Sequence, residues 1–384
     1  MTENVVKVNR LPAMTWNWLK MNDDLFDTAG LSVAGGIDAV LPDSLKGADI
    51  DTAELQALAA VETGMGPEFA GAVSGLKAAD DTAADREGIA DGSSESADCV
   101  IVTDSGVKEE QPVRMKHLSY VENGVSSSFI VAREDSEVCV IADMTDIPDS
   151  AEEAGTVTKV LVKDRARVKI VEVFKAGENS RVFTDIGAVL GEDAQLEVVQ
   201  IFLGGRKVNA GCQVALQGDR AGFTEYTAYD APAGSKYDFN YVARHFGKNT
   251  TADMHASGVM HEKAEKTMRQ TIDFLRGCAG SKGAEREEVL LLDDDLVNKT
   301  VPLILCKEED VEGEHGASIG KLSEEVLFYL RTRGLSDEEI YRLMASGRLM
   351  SVVSKIGDEE TEKKMSGLIL GESEEDDQSA IDAE

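Results

Sequence analysis

A mainly β body with helical ends is the fold class this sequence predicts, and three observations predict it. Short runs of alternating apolar and polar residues fill the middle of the chain, as in RVKIVEVF (167–174) and QLEVVQIF (195–202), and period-two alternation marks a strand. The pieces between such runs, among them KAGENS, LGEDA, LGGRKVN and QGDRAG, carry turn residues and are too short for the helix of a βαβ crossover. A doubly wound sheet is thereby excluded. A weak repeat completes the case: Asp164 opens DRARVKIVEVF, Asp193 lies in EDAQLEVVQIF and Asp219 in GDRAGFTEYTAY, at intervals of 29 and 26 residues. Recurrence of this kind points to the stacked rungs of a parallel β-solenoid, with a sandwich or barrel as the alternative.

From the N-terminus, residues 1–77 mix short apolar stretches with helix formers, and ADIDTAELQALAAVE (48–62) sets Leu55, Leu58, Ala59 and Val61 on one side of a helix. This region is expected to be helical. Residues 78–98 are small and acidic, with almost no bulky apolar group to offset the entropy of ordering, so they read as a flexible linker. The β body runs over 99–321 and also contains VCVIADM (138–144), CQVALQG (212–218), FTEYTAY (223–229) and YDFNYVARHF (237–246). After Pro148 only Pro232 and Pro302 occur, which suits strand ladders. Helical patterning returns over 322–357, where Ser323 is an N-cap, Ser336 with Glu339 forms a capping box, and Gly334 stops the first of two short helices. Residues 358–384 read as a disordered tail, since seven of the last fourteen residues are acidic.

Composition narrows the function. Asp and Glu number 72 against 39 Lys and Arg, a net charge of −33 that repels phosphate backbones and argues against nucleic-acid binding. No apolar run reaches the ~20 residues of a membrane span, and the opening lacks the charged-then-apolar order of a signal peptide, so a cytoplasmic protein is expected. The cysteines Cys99, Cys139, Cys212, Cys278 and Cys306 are scattered singly, which suits reduced thiols rather than disulfides. GCAGSKG (277–283) lacks P-loop spacing, and neither a GxSxG elbow nor an HExxH helix is present. Any nucleotide chemistry must therefore come from another chain.

Two constellations could carry metal chemistry. His255 and His261 are six apart in ADMHASGVMHEK. An even separation would leave both on one face of a strand, where they share a metal or simply stand exposed on the wall. Cys306 and His315 bracket KEEDVEGEH, a thiolate and an imidazole suited to iron or zinc. Cys306 follows the apolar run VPLIL and reads equally as a buried structural thiol. His315 sits between glycines in GEHGAS and reads as an accessible imidazole at a turn.

The stretch EEDVEGEHGASIGKLSEEVLFYLRTRGLSDEEIYRLMASG (308–347) closely resembles the C-terminal signature of the SufB/SufD family, scaffold subunits of the SUF iron–sulfur cluster assembly system. Residues 266–306 look like the preceding rungs of that family, and NRLPAMTWNWLKMN resembles the opening of SufD-type chains. The resemblance implies a right-handed parallel β-helix with helical terminal regions. It also implies pairing with a SufB-like subunit along β-helix edges, docking of a SufC-like ABC ATPase on the C-terminal helices, and a cysteine desulfurase as sulfur donor. In that arrangement this chain is a non-enzymatic SufD-like subunit that binds no nucleotide itself, with a transient iron–sulfur cluster at the partner interface. The family's D-type histidine falls on His315, the iron-ligand candidate, with Cys306 as the weaker one. The essential SufB cysteine falls near Glu287, an acid here, which favours the D-type role. Leu327, Tyr329, Leu330 and Arg333 mark the ATPase-docking region, and helices from Leu322 onward would be separable from a folded β-helix. Two other functions compete with this one: a self-associating SufB-like scaffold with SufC, and a carbohydrate-active β-helix enzyme, which the 5% aromatic content disfavours.

Overall fold

The computed structural model describes residues 4–32, 36–45, 49–79, 97–117, 124–148 and 153–371. Strands β1 (Val5–Val8), β2 (Asp24–Asp27) and β3 (Ile37–Val40) and helices α1 (Thr52–Ala59) and α2 (Pro67–Ala79) come first. The body follows as β4 (Cys99–Thr103), β5 (Val113–His117), β6 (Val125–Ala132), β7 (Glu137–Met144), β8 (Glu153–Val162), β9 (Arg167–Ala176), β10 (Arg181–Leu190), β11 (Gln195–Gly204) and β12 (Lys207–Leu216). It continues through β13 (Gly222–Ala231), β14 (Lys236–His245), β15 (Thr251–Met260), β16 (Glu265–Phe274), β17 (Ser281–Leu291), β18 (Val297–Cys306) and β19 (Val311–Gly320). Even-numbered strands of the body form an eight-stranded sheet and odd-numbered ones a nine-stranded sheet closed at one edge by antiparallel β3. All other pairings in the body are parallel, so the chain is a β-solenoid and the sandwich and barrel alternatives fall away.

Alternation explains the interior. Val168, Ile170, Leu196, Val198, Phe202 and Phe223 point between the two sheets into one continuous core. The opposite face of the odd-numbered sheet is also apolar, with Val171, Val173, Val199 and Ile201 buried beneath C-terminal helices. Strands covered on both faces lose their polar alternation, and burying each such side chain contributes about 1.5–3 kcal/mol. A polar row also threads the core: Glu172 accepts from Gln200 (2.7 Å) and Thr184 (2.8 Å), Tyr241 donates to Gln200 (2.8 Å), and Thr227 bridges Tyr241 (2.8 Å) and Glu225.

The repeat is tighter than the sequence suggests. Gly106, Asp135, Arg165, Asp193, Arg220, Asn249 and Gly280 all have positive φ, at spacings of 29, 30, 28, 27, 29 and 31 residues. From Gly106 to Gly280, each of these amides donates to a carbonyl of the following rung's turn, as Arg165 N does to Glu192 O (2.8 Å) and Arg220 N to Lys248 O (2.8 Å). Arg165 pairs with Asp135 at 2.7 Å and Arg220 with Asp193 at 2.6 Å, so charges alternate up the turn. Asp164 and Asp219 stand one place before the true repeat position that Asp193 occupies, as the register Arg167–Gln195–Gly222 confirms.

The N-terminal region is mixed rather than helical, for β1 and β2 form a hairpin-like pair beside α1 and α2. It clamps the outer face of the even-numbered sheet through an edge-to-face cluster of Phe26, Phe69 and Phe183. Gly64 lies against the backbone at Cys212 so closely that a Cβ there would meet Cys212 N at 2.0 Å. Most of the expected linker, 80–96, lies outside the described residues. At the other end, α3 (Glu324–Arg331), α4 (Asp337–Val353) and α5 (Glu359–Leu370) are helical. The caps at Ser323 and at Ser336 with Glu339 are as expected, and Gly334 has φ +93°. Helix α5 corrects the tail assignment over 359–370: its charged sequence hides a face on which Met365 is buried with Leu349, Val352 and Ile356 of the preceding segment. Residues 372–384 lie outside the described part. Among the described residues no helix is long and apolar enough to cross a membrane.

Candidate functional site

Both sheets end on the same rung, and the site lies there. β18 pairs only with β16, and β19 only with β17. Pro302, which has no amide to donate, is tolerated in β18 because that strand is an edge. Interior β17 positions alternate as Ser281, Gly283, Glu285, Glu287 and Val289, all buried, whereas nearly every residue of β19 is exposed. Gly313 shows which face of β19 looks inward: a Cβ there would meet Ile304 at 3.0 Å and Phe274 at 3.3 Å. His315 is two residues on and shares that face, in register with Glu285.

His315 therefore stands mid-strand rather than at a turn. Its flanking glycines suggest a turn, but pairing with β17 holds the segment extended. Glu287, in register with Ala317, is fully buried and ion-paired with Lys266, whose side chain is equally buried. Thr300 Oγ1 donates to the same carboxylate at 2.6 Å and the Tyr229 hydroxyl at 3.3 Å. Burial holds the Lys266 ammonium below its ordinary pKa, against the opposing pull of Glu287. The position the resemblance assigns to a thiol is thus a structural clamp. Glu285 differs, since neither of its carboxylate oxygens has a hydrogen-bond partner among the described residues. Burial pushes its pKa up to about 9, against the smaller pull of the Leu303 and Ile272 amides.

The cysteines do not gather here. Cys306 is exposed at the end of β18, not buried beneath the apolar run before it. The Gly313–Ile304 contact sets it and His315 at opposite ends of the inner face, four strand residues or roughly 13 Å apart. Cys99, Cys212 and Cys278 are buried and Cys139 is half-buried. Burial drives the Cys99 and Cys139 thiols up to about 11, which leaves them protonated and poor ligands. His255 and His261 are not brought together either. His255 pairs with Asp253 (2.9 Å) and stacks on Tyr226, while His261 pairs with Asp230 (2.9 Å), which raises its pKa. His117 and His245 are buried, lowered to about 4 by burial, and bond to Ser126 and Thr250. Among the described residues no three His, Cys, Asp or Glu side chains are grouped to hold a metal ion.

A second surface lies on α3 and α4. Leu327 is buried and Leu330 half-buried, so they hold α3 in place, whereas Tyr329 is exposed beneath the guanidinium of Arg333 (5.1 Å to the ring centroid). Phe328 (68% exposed) and Leu343 (56%) complete an apolar patch that sequence reasoning did not name. Two aromatics in succession on an acidic helix were the available signal.

Comparison with known proteins places these features. Residues 119–348 match the family model described as SUF system FeS cluster assembly, SufBD core domain. The chain is 24% identical over 242 residues to the iron–sulfur cluster assembly protein SufD of Bacillus subtilis, covering 62% of this chain and 55% of that one. To SufB of the same organism it is 22% identical over 250 residues, covering 64% and 54%. A SufBD family protein of Mycobacterium leprae is 24% identical over 202 residues, 53% of this chain and 23% of that one. The match thus spans about half the length of the Bacillus relatives and a quarter of the mycobacterial one.

Proposed function

The chain belongs to the SufBD core family of the SUF iron–sulfur cluster assembly system, and from that premise we propose that it is a SufD-like scaffold subunit. It pairs through the open rung with a SufB-like partner and docks a SufC-like ATPase on α3 and α4, with a cysteine desulfurase supplying sulfur. The observation that carries this reading is the terminal rung. Two strands present free edges and an exposed inner face on which His315 stands. A parallel ladder ending in free N–H and C=O groups is a template for another chain's strands. A single imidazole without a neighbouring thiolate supports a ligand set completed in trans, with the nascent cluster as cargo rather than resident cofactor. The acid at Glu287 supports the D-type over the self-associating SufB-like role, and the low identity to both relatives makes a partner test decisive.

Co-expression with a SufB-like chain and an ABC ATPase tests it. All three should purify together, and His315→Ala should leave the complex intact while cutting cluster formed from ferrous iron and sulfide at least fivefold. Purification of this chain as a homodimer that excludes the SufB-like chain would overturn the pairing. Truncation from Leu322 is not a clean probe of docking, because α4 and α5 cover Val171, Val199 and Ile201. Phe328→Asp is cleaner, and retained ATPase would place docking elsewhere.

A further inference from the structure

Glu285 is the outlier among the buried carboxylates. Glu172 has Gln200 and Thr184, and Glu287 has Lys266 and Thr300. Glu285 is 1% exposed and has no hydrogen-bond partner for either oxygen among the described residues. A buried polar group without a partner costs stability, and each such case calls for an explanation. Its place supplies one. Glu285 and His315 are register partners on adjacent parallel strands, about 4.8 Å apart along the stack and on the same face. That face is the interior one, for a Cβ at Gly283 would strike Ile272 and one at Gly313 would approach Ile304. β19 is the outermost strand of its sheet, so no strand of this chain lies beyond the imidazole. The residues flanking His315 on that face, Gly313 and Ala317, are small. The carboxyl group thus lies one strand beneath the imidazole at an open mouth with room beside it.

We propose that Glu285 is a second iron ligand of this chain, forming with His315 a two-donor half-site for ferrous iron at the mouth of the solenoid; this assignment rests on the iron-ligand role of His315 in the proposed function. An imidazole nitrogen and a carboxylate oxygen suit ferrous iron better than the soft copper(I) ion. The remaining coordination positions are left for water, sulfide and donors from a partner scaffold. A carboxylate held for a cation has no need of a hydrogen-bond partner within its own chain.

Anaerobic titration of the full-length chain with ferrous iron, in competition with a chromogenic chelator, tests the pairing. Glu285→Gln and His315→Ala should each weaken one ferrous site at least tenfold, and the double variant should be no weaker than the worse single one. Glu285→Asp, which keeps the carboxylate but retracts it, should fall between. The melting temperature of Glu285→Gln should not drop, since the substitution removes a buried ionisable group without changing its shape. Ferrous affinity of Glu285→Gln within twofold of the parent would overturn the inference. If His315→Ala alone loses iron, the inference fails while the role of His315 stands; if neither variant changes binding, both fail. A parent chain that binds no more iron than the double variant also overturns it.

Discussion

The middle rungs and the last rung are built from the same parallel ladder, yet they do opposite things. Between β8 and β17 every strand has a neighbour on both sides, polar core groups such as Glu172, Gln200 and Tyr241 satisfy one another, and both outer faces are covered. At β18 and β19 the ladder stops, the covering elements are gone, and an imidazole and an orphaned carboxylate lie at the mouth. Stability resides where the repeat continues, and recognition becomes possible where it is interrupted.

Three measurements would sharpen or break that contrast. The largest effect is expected where the sealed interior reaches the rung beneath the mouth. Lys266→Met leaves Glu287 buried and uncompensated and should cost about 3–5 kcal/mol in denaturant unfolding. Lys266→Met combined with Glu287→Leu should recover most of it, and a loss under 1 kcal/mol for the single change would mean that water reaches the pair. A smaller effect belongs to the polar row. Burial raises the Glu225 carboxyl to about 8, so the folded state favours its neutral form. The associated cost is absent below the unfolded pKa near ~4.3, grows as pH rises, and is complete above about 8. The stability of Glu225→Gln relative to the parent should therefore climb between pH 5 and pH 8, on the order of 2 kcal/mol. A flat difference would show that the row is hydrated. The smallest effect is expected at the mouth, where His315→Ala should change the stability of the isolated chain by less than ~0.5 kcal/mol. A larger loss would make His315 part of the packing and erase the contrast.

The same contrast explains what could be read from the chain. Strands such as Arg167–Ala176 and Gln195–Gly204 announce themselves by alternation, and the caps at Ser323 and Ser336 are local signals satisfied locally. The repeat is visible in the sequence but misaligned there by one residue, because an Asp recurs on either side of the true turn position. Strands β1 and β2 are four residues each, too short for a period to show. His315 looks like a turn residue because two glycines flank it, and only its pairing with a strand thirty residues earlier makes it extended. Glu285, Glu287 and Lys266 carry no local mark of burial, since charged residues in an alternating strand normally face water. Their role depends on which rung is the last, a fact of tertiary structure.

The left-handed turn positions have a consequence for how such a chain can change size. Each one both breaks the strand direction and hands its amide to the following rung's turn, from Gly106 through Arg165 and Arg220 to Gly280. Adding or deleting one residue inside a rung would misplace that donor and flip the inward face of the strand after it. Removing a whole interval, such as the 28 residues from Arg165 to Asp193, would leave each remaining turn facing another turn of the same kind. Variation in the length of this body is therefore granular: lineages can lose or duplicate entire storeys far more readily than single bricks.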